Sequence, residues 1–188
     1  MNQRDPLPGW LSRLVATPGV TDFRRLWERL EPLPFGKQLF SRALGLLIPY
    51  TGSIRFVVEE LRPGQAVVLL LDRRGHHNHL GSVHAIALAN VAELTGNLAL
   101  VAAMPETARF IVTSLTIQYA KKARGSIRAS CTCPTDIGTE RREYDLIVRL
   151  TDSAGDEVAT ARLRSLVGPK PGVAKVSGVN GAPKPSDA

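Results

Sequence analysis

Residues 75–105 read GHHNHLGSVHAIALANVAELTGNLALVAAMP, and this stretch decides the fold. It opens with a cluster of histidines and continues into an apolar run from Leu80 to Met104. The run is long enough to suggest a membrane span, but its His, Asn, Glu and Thr residues would heavily penalise a lipid-facing helix. We therefore predict a helix from about Ser82 to Met104, buried inside a soluble protein.

Strand-like segments flank this helix on both sides. Two precede it, SIRFVVEEL and AVVLLLDRR, and the turn signal RPGQ between them predicts an antiparallel hairpin. Four follow it: ARFIVTSLTIQYAKK, GSIRASCTCP, REYDLIVRLTD and EVATARLRSLV. A helix that is apolar on nearly all sides needs cover on nearly all sides, and a curved antiparallel sheet provides that cover. The predicted class is α+β, with an antiparallel β-sheet wrapped around a long central helix.

The rest of the chain predicts two appendages to a single domain. A chain of 188 residues with 44% hydrophobic content buries one core. Residues 1–50 contain helical patterns punctuated by prolines, and we expect an N-terminal helical extension there. Residues 51–167 form the main domain, and residues 168–188, rich in Gly, Pro and Ser, are predicted to be a disordered tail.

The net charge and the cysteine content limit the possible binding partners and the cellular compartment. The 24 basic and 17 acidic residues give a net charge of +7, which favours an anionic partner such as nucleic acid, acidic lipid or a phosphate-rich small molecule. Part of this charge lies in the tail. The start MNQRDPLPGWLSRL shows no secretory pattern, and Cys131 and Cys133 are read as reduced thiols. We expect a cytoplasmic protein that does not bind a membrane.

The histidine cluster suggests a metal site as one alternative. Its four imidazoles are His76, His77, His79 and His84. No Asp, Glu or Cys lies within the cluster, and adjacent ligands on an extended loop usually diverge. We therefore expect no bound metal.

A second pattern appears when the first two histidines are set aside. Asn78, Gly81 and His84 form an N-x-x-G-x-x-H loop that enters the helix, and the acid Glu93 follows nine residues after the histidine. This pattern resembles the active-site signature of the PaaI-type thioesterases in the hotdog superfamily, and NHLGSVHAIALANVAEL resembles an uncharacterised bacterial branch of it. The resemblance spans about residues 51–167. It implies the hotdog fold and hydrolysis of an acyl-CoA thioester, with coenzyme A as part of the substrate and no other cofactor.

The resemblance also implies catalytic roles. Asn78 and the backbone N–H of Ala85 would polarise the thioester carbonyl, because N–H groups at a helix start suit an oxygen that gains negative charge. His84 would orient the loop or assist. Glu93 would act as general base or nucleophile, with a pKa raised by burial in the apolar helix.

Further residues complete the implied site. A hydroxyl of the third strand, from Thr113 or Ser114, would hold the water, and the sequence does not choose between them. The basic cluster after that strand would meet the phosphates of coenzyme A, although a solvated loop is the alternative. The predicted contacts to coenzyme A are Gly81, Lys121, Lys122 and Arg124.

Two features qualify this interpretation. The family usually reads His-Gly-Gly where this chain has His84-Ala85-Ile86, so added side chains narrow the approach of the thioester. Nine residues at about 100° each also place Glu93 on the opposite side of the helix from His84, about 13 Å along the axis. Both serve one site only if two subunits contribute. The catalytic prediction therefore requires a homodimer. Dimers of hotdog proteins often pair further into tetramers.

Two other functions stay open. A hotdog dehydratase or hydratase has a histidine and an acid, but its motif spacing and flanking prolines are missing here. A non-catalytic acyl-CoA-binding or sensor protein would use its N-terminal helices to contact a partner or DNA. Arg24, Arg25 and Arg29 offer a basic face, yet no helix-turn-helix is visible, so we do not expect nucleic acid binding.

Overall fold

The computed structural model describes residues 20–171; residues 1–19 of the predicted extension and residues 172–188 of the predicted tail lie outside this range. The described chain contains three α-helices and six β-strands. The helices are α1 (Val20–Leu30), α2 (Gly36–Leu47) and α3 (Ala85–Ala103). The strands are β1 (Phe56–Arg62), β2 (Gln65–Leu70), β3 (Ala108–Tyr119), β4 (Ile127–Thr132), β5 (Arg142–Thr151) and β6 (Glu157–Pro169).

The six strands form one antiparallel sheet that covers the long helix. The strand order is β1-β2-β4-β5-β6-β3, and thirteen of the 19 residues of α3 are buried. Gly96 lets the helix approach the sheet, because a Cβ there would come within 3.0 Å of the Leu163 side chain. Helix α3 is long and apolar enough to cross a membrane, but 72% of its most apolar stretch is buried, as is typical of a core helix. The predicted α+β arrangement is confirmed.

Helices α1 and α2 pack on the same core. The Trp27 and Phe40 rings meet edge to face with centroids 5.1 Å apart, and both are buried. The Ser41 hydroxyl donates to the Lys37 carbonyl and accepts the Val58 N–H at 2.8 Å, which joins α2 to β1. The described part of the N-terminal region is therefore anchored to the sheet.

Strand β3 is an edge strand that exposes apolar side chains among polar ones. It pairs only with β6 within residues 20–171, and its exposed side chains include Ile111, Leu115 and Tyr119. An unpaired edge of this length presents free backbone N–H and C=O groups together with apolar surface. This edge is suited to pairing with another chain.

Candidate functional site

The loop between β2 and α3 is held in shape by Asn78. Its Oδ1 accepts the backbone N–H groups of Leu80 (2.9 Å) and Ser82 (3.2 Å), and its Nδ2 donates to the Ser82 hydroxyl at 3.0 Å. Gly81 has φ +66°, a left-handed conformation that L side chains rarely adopt. An amide nitrogen carries two hydrogens, so the Asn78 side chain retains one for a ligand.

His84 is the N-cap of α3. Its Nδ1 accepts the Ile86 N–H at 3.1 Å, so the neutral ring carries its proton on the exposed Nε2. The Ala85 N–H has no acceptor within residues 20–171. One unpaired N–H group, that of Ala85, and the positive end of the helix dipole therefore coincide at this point.

A cavity of about 250 Å³, here called the mouth cavity, opens at this helix start. It is lined by Asn78 and Ala85 and, from the segment after β3, by Lys121 and Lys122. The structure thus brings four of the predicted residues together around one cavity.

Tyr119 also lines the mouth cavity and was not predicted. Its hydroxyl donates to the Ala85 carbonyl at 3.1 Å, which ties the end of β3 to the first turn of α3. A tyrosine hydroxyl is protonated at neutral pH and can donate, and burial raises the pKa of Tyr119 further. The sequence signals only that a tyrosine ends a strand, and this does not reveal the contact.

The predicted basic contacts differ in their surroundings. The Lys121 ammonium lies 2.8 Å from an Asp152 carboxylate oxygen and 2.6 Å from an Asp156 oxygen. Hydrogen bonds to these two carboxylates raise the pKa of Lys121. Lys122 and Arg124 are exposed and have no carboxylate within 4.0 Å among residues 20–171, but Arg124 does not line the mouth cavity.

Glu93 lies on the face of α3 that residues 20–171 leave uncovered. Ile86, Ala89, Glu93 and Asn97 recur at helical spacing and are exposed or half-buried, whereas the positions between them are mostly buried. The prediction that Glu93 is buried is therefore wrong for residues 20–171 of a single chain. The sheet covers the other faces of the helix and leaves this one exposed. Eight residues of helical rise place Glu93 about 12 Å along the axis from Ala85, and it does not line the mouth cavity.

The two candidate hydroxyls lie at a bulge in β3. The pairing with β6 passes from Val112 to Ser114, so Thr113 is the extra residue, and its hydroxyl donates to the Arg164 carbonyl at 3.1 Å. Ser114 is opposite exposed Arg164, on the sheet face away from α3. Ser114 therefore faces away from the helix of its own chain, whereas the Thr113 hydroxyl is engaged by the β6 backbone.

The four histidines do not converge. His76 is buried and His77 contacts an Asp72 carboxylate oxygen at 2.6 Å, while His79 and His84 are exposed. Among residues 20–171, no three His, Cys, Asp or Glu side chains form a group able to hold a metal ion.

Residues 36–167 match the family model described as a domain of unknown function, DUF4442. The chain belongs to the DUF4442 family. A crystal structure from structural genomics is similar to this DUF4442 chain with 30% sequence identity and a TM-score of 0.70, over 79% of this chain and 99% of that one. None of the curated proteins matches significantly.

Two further solved structures relate the DUF4442 chain to named proteins. A mutant of the phenylacetic acid degradation protein PaaI from Thermus thermophilus matches with 22% identity and a TM-score of 0.54, over 63% of this chain and 97% of that one. A hypothetical thioesterase from Streptococcus pneumoniae, solved with coenzyme A, matches with 18% identity and a TM-score of 0.53, over 62% and 90%. The predicted hotdog fold is confirmed, and the resemblance to PaaI is one of fold.

Proposed function

We propose that this protein hydrolyses an acyl-CoA thioester at a site shared by two subunits. The observation that carries the proposal is the exposure of Glu93 on a helix that has thirteen of its 19 residues buried. A carboxylate on an uncovered face is available to a second chain, and it is distant from the mouth cavity of its own chain. The similar thioesterase solved with coenzyme A supports this ligand class.

The mouth cavity would supply the electrophilic half of the site. The free Ala85 N–H and the remaining Asn78 amide hydrogen would donate to the thioester oxygen as negative charge develops on it. Each such donor contributes about 10²–10³ in kcat in known oxyanion holes. The Nε2–H of His84 would orient the substrate, and exposed Lys122 and Arg124 are the proposed contacts to the phosphates.

Glu93 of the partner subunit would supply the basic half. It would take a proton from water as the water oxygen attacks the carbonyl carbon, and the C–S bond would then break. The proton passes to the departing thiolate, so that water and thioester yield a carboxylic acid and free coenzyme A. In one chain Ser114 faces away from α3 and the Thr113 hydroxyl donates to the β6 backbone, so either hydroxyl would hold the water only where a second subunit packs against this part of β3.

The free edge of β3 supports the second subunit. Ile111 is 64% exposed and Tyr119 is 47% exposed on a strand that has one side unpaired by residues 20–171. Pairing of this edge with a second copy would cover apolar surface and satisfy backbone groups. We propose a homodimer in which the β3 edges of two copies pair. Two such dimers could pair further into a tetramer.

The test is hydrolysis of a panel of acyl-CoAs by the native protein, Glu93→Gln and the control Glu140→Gln, which changes another exposed acid. We expect Glu93→Gln to lower kcat by about 10²-fold or more, with KM little changed, because it removes the base. Glu140→Gln should match the native protein. If the native protein binds coenzyme A esters but turns over none, it is a non-catalytic binding protein. Full turnover by Glu93→Gln would remove Glu93 from the mechanism.

A further inference from the structure

A second and larger cavity, of about 570 Å³, shares no lining residue with the mouth cavity. Three arginines from separate segments line it: Arg42 on α2, Arg55 just before β1, and Arg73 just after β2. Phe56 and Leu71 contribute an apolar lining. We call this cavity the arginine groove.

The positive charge of the arginine groove is not balanced by nearby acids. No Asp or Glu lines it, and within residues 20–171 none of the three guanidinium groups lies within 4.0 Å of a carboxylate. The acids nearest in sequence to Arg73 and Arg55 are engaged elsewhere: Asp72 contacts His77 at 2.6 Å, and Glu59 pairs with Arg128 at 2.8 Å. Three like charges around one cavity attract an anion.

The backbone of the arginine groove is fixed by His76. Its Nε2 accepts the Arg55 N–H at 3.0 Å, and its Nδ1 donates to the Leu71 carbonyl at 3.0 Å. Leu71 N–H donates to the Arg55 carbonyl at 2.9 Å, and His76 N–H donates to the Arg73 carbonyl at 2.8 Å. Two of the three arginines therefore project from a preorganised frame, which lowers the ordering cost of binding.

We propose that the arginine groove binds a phosphate-bearing organic anion. Guanidinium groups match phosphate oxygens with paired hydrogen bonds. The cavity is much larger than one phosphate ion and lies within the usual range of small-molecule sites, roughly 300–1,000 Å³. Its apolar lining suits the rest of such a molecule. The site goes beyond the proposed hydrolysis, which does not require it.

The test is calorimetric titration of the full chain with adenosine 3′,5′-bisphosphate and with ATP. We expect saturable binding that weakens with added salt. Arg42→Ala and Arg55→Ala should each weaken it about ten- to a hundred-fold, the usual effect of removing a charged hydrogen-bonding partner. The control Arg74→Ala, an exposed neighbour that does not line the groove, should leave binding unchanged.

Two arms separate the sources of the phosphate. If the groove holds the nucleotide end of coenzyme A, the bisphosphate competes with coenzyme A, and Arg42→Ala raises KM for acyl-CoA without lowering kcat. If the groove holds a separate molecule, the nucleotides bind with the same affinity when coenzyme A is present at a saturating concentration. Either result supports the site. The proposal is overturned if neither nucleotide shows saturable binding. It is also overturned if Arg42→Ala and Arg55→Ala bind the nucleotides as tightly as Arg74→Ala does. Glu93→Gln should bind the nucleotides as the native protein does. A failure of the hydrolysis proposal can therefore be distinguished from a failure of the arginine-groove proposal.

Discussion

Replacement of His76 by leucine should destabilise the protein although it removes little volume. The ring is 6% exposed, and each of its nitrogens has a backbone partner at 3.0 Å, the Arg55 N–H and the Leu71 carbonyl. Leucine satisfies neither. An unsatisfied buried group costs about 1–3 kcal/mol, and because these bonds are only part-buried we take about 1–2 kcal/mol for each. The free energy of unfolding should therefore fall by about 2–4 kcal/mol.

Urea denaturation followed by circular dichroism measures this loss. For a chain of this size it corresponds to a fall in Tm of about 4–16 °C. The matched control is His79→Leu, because His79 is exposed and makes no ring hydrogen bond within residues 20–171; its change should stay within about 0.5 kcal/mol. If His76→Leu is as stable as this control, the ring does not hold the frame of the arginine groove.

Three further outcomes are expected. Gly81→Ala should cost about 1 kcal/mol in urea denaturation because φ is +66° there, whereas Gly75→Ala, with open space around it, should be neutral; equal losses would contradict the strain. Ile111→Asp should abolish self-association in light scattering and Ile147→Asp, on a central strand, should not; an intact Ile111→Asp dimer would exclude pairing through β3. Burial raises the pKa of the Cys131 thiol to about 12, so at pH 8 both buried cysteines should react with Ellman's reagent only after unfolding; rapid labelling of the folded protein would refute this.

The fold was predictable because the hydrophobic pattern of each element agrees with its place. The predicted helix from about Ser82 to Met104 corresponds to α3, Ala85–Ala103, and all six strand-like segments form strands. The helix starts later than predicted because the His84 ring caps it, which apolar periodicity does not reveal. The strand order, with β3 at an edge beside β6, depends on packing between distant segments and could not be inferred from local patterns.

The site was predictable only in part. The spacing of Asn78 and Ala85 anticipated two residues that line one cavity, because both belong to a short loop and the helix that follows it. The exposure of Glu93 could not be predicted, because α3 is apolar on nearly every side and composition does not show which face stays uncovered. The sequence pattern sets His76 aside, yet its ring nitrogens bond the backbone of Leu71 and of Arg55, and no local pattern reveals these contacts.

The central claim, a site shared by two subunits, is tested most directly by mixing two inactive variants. Asn78→Asp keeps the acceptor oxygen that holds the loop but loses the amide donor, and Glu93→Gln loses the base. After unfolding and refolding together at equal amounts, half of the dimers are mixed, and one of their two sites is intact. A two-fold dimer therefore predicts about one quarter of native acyl-CoA hydrolysis. A mixture no more active than the two variants measured separately would place the whole site within one chain and contradict the claim.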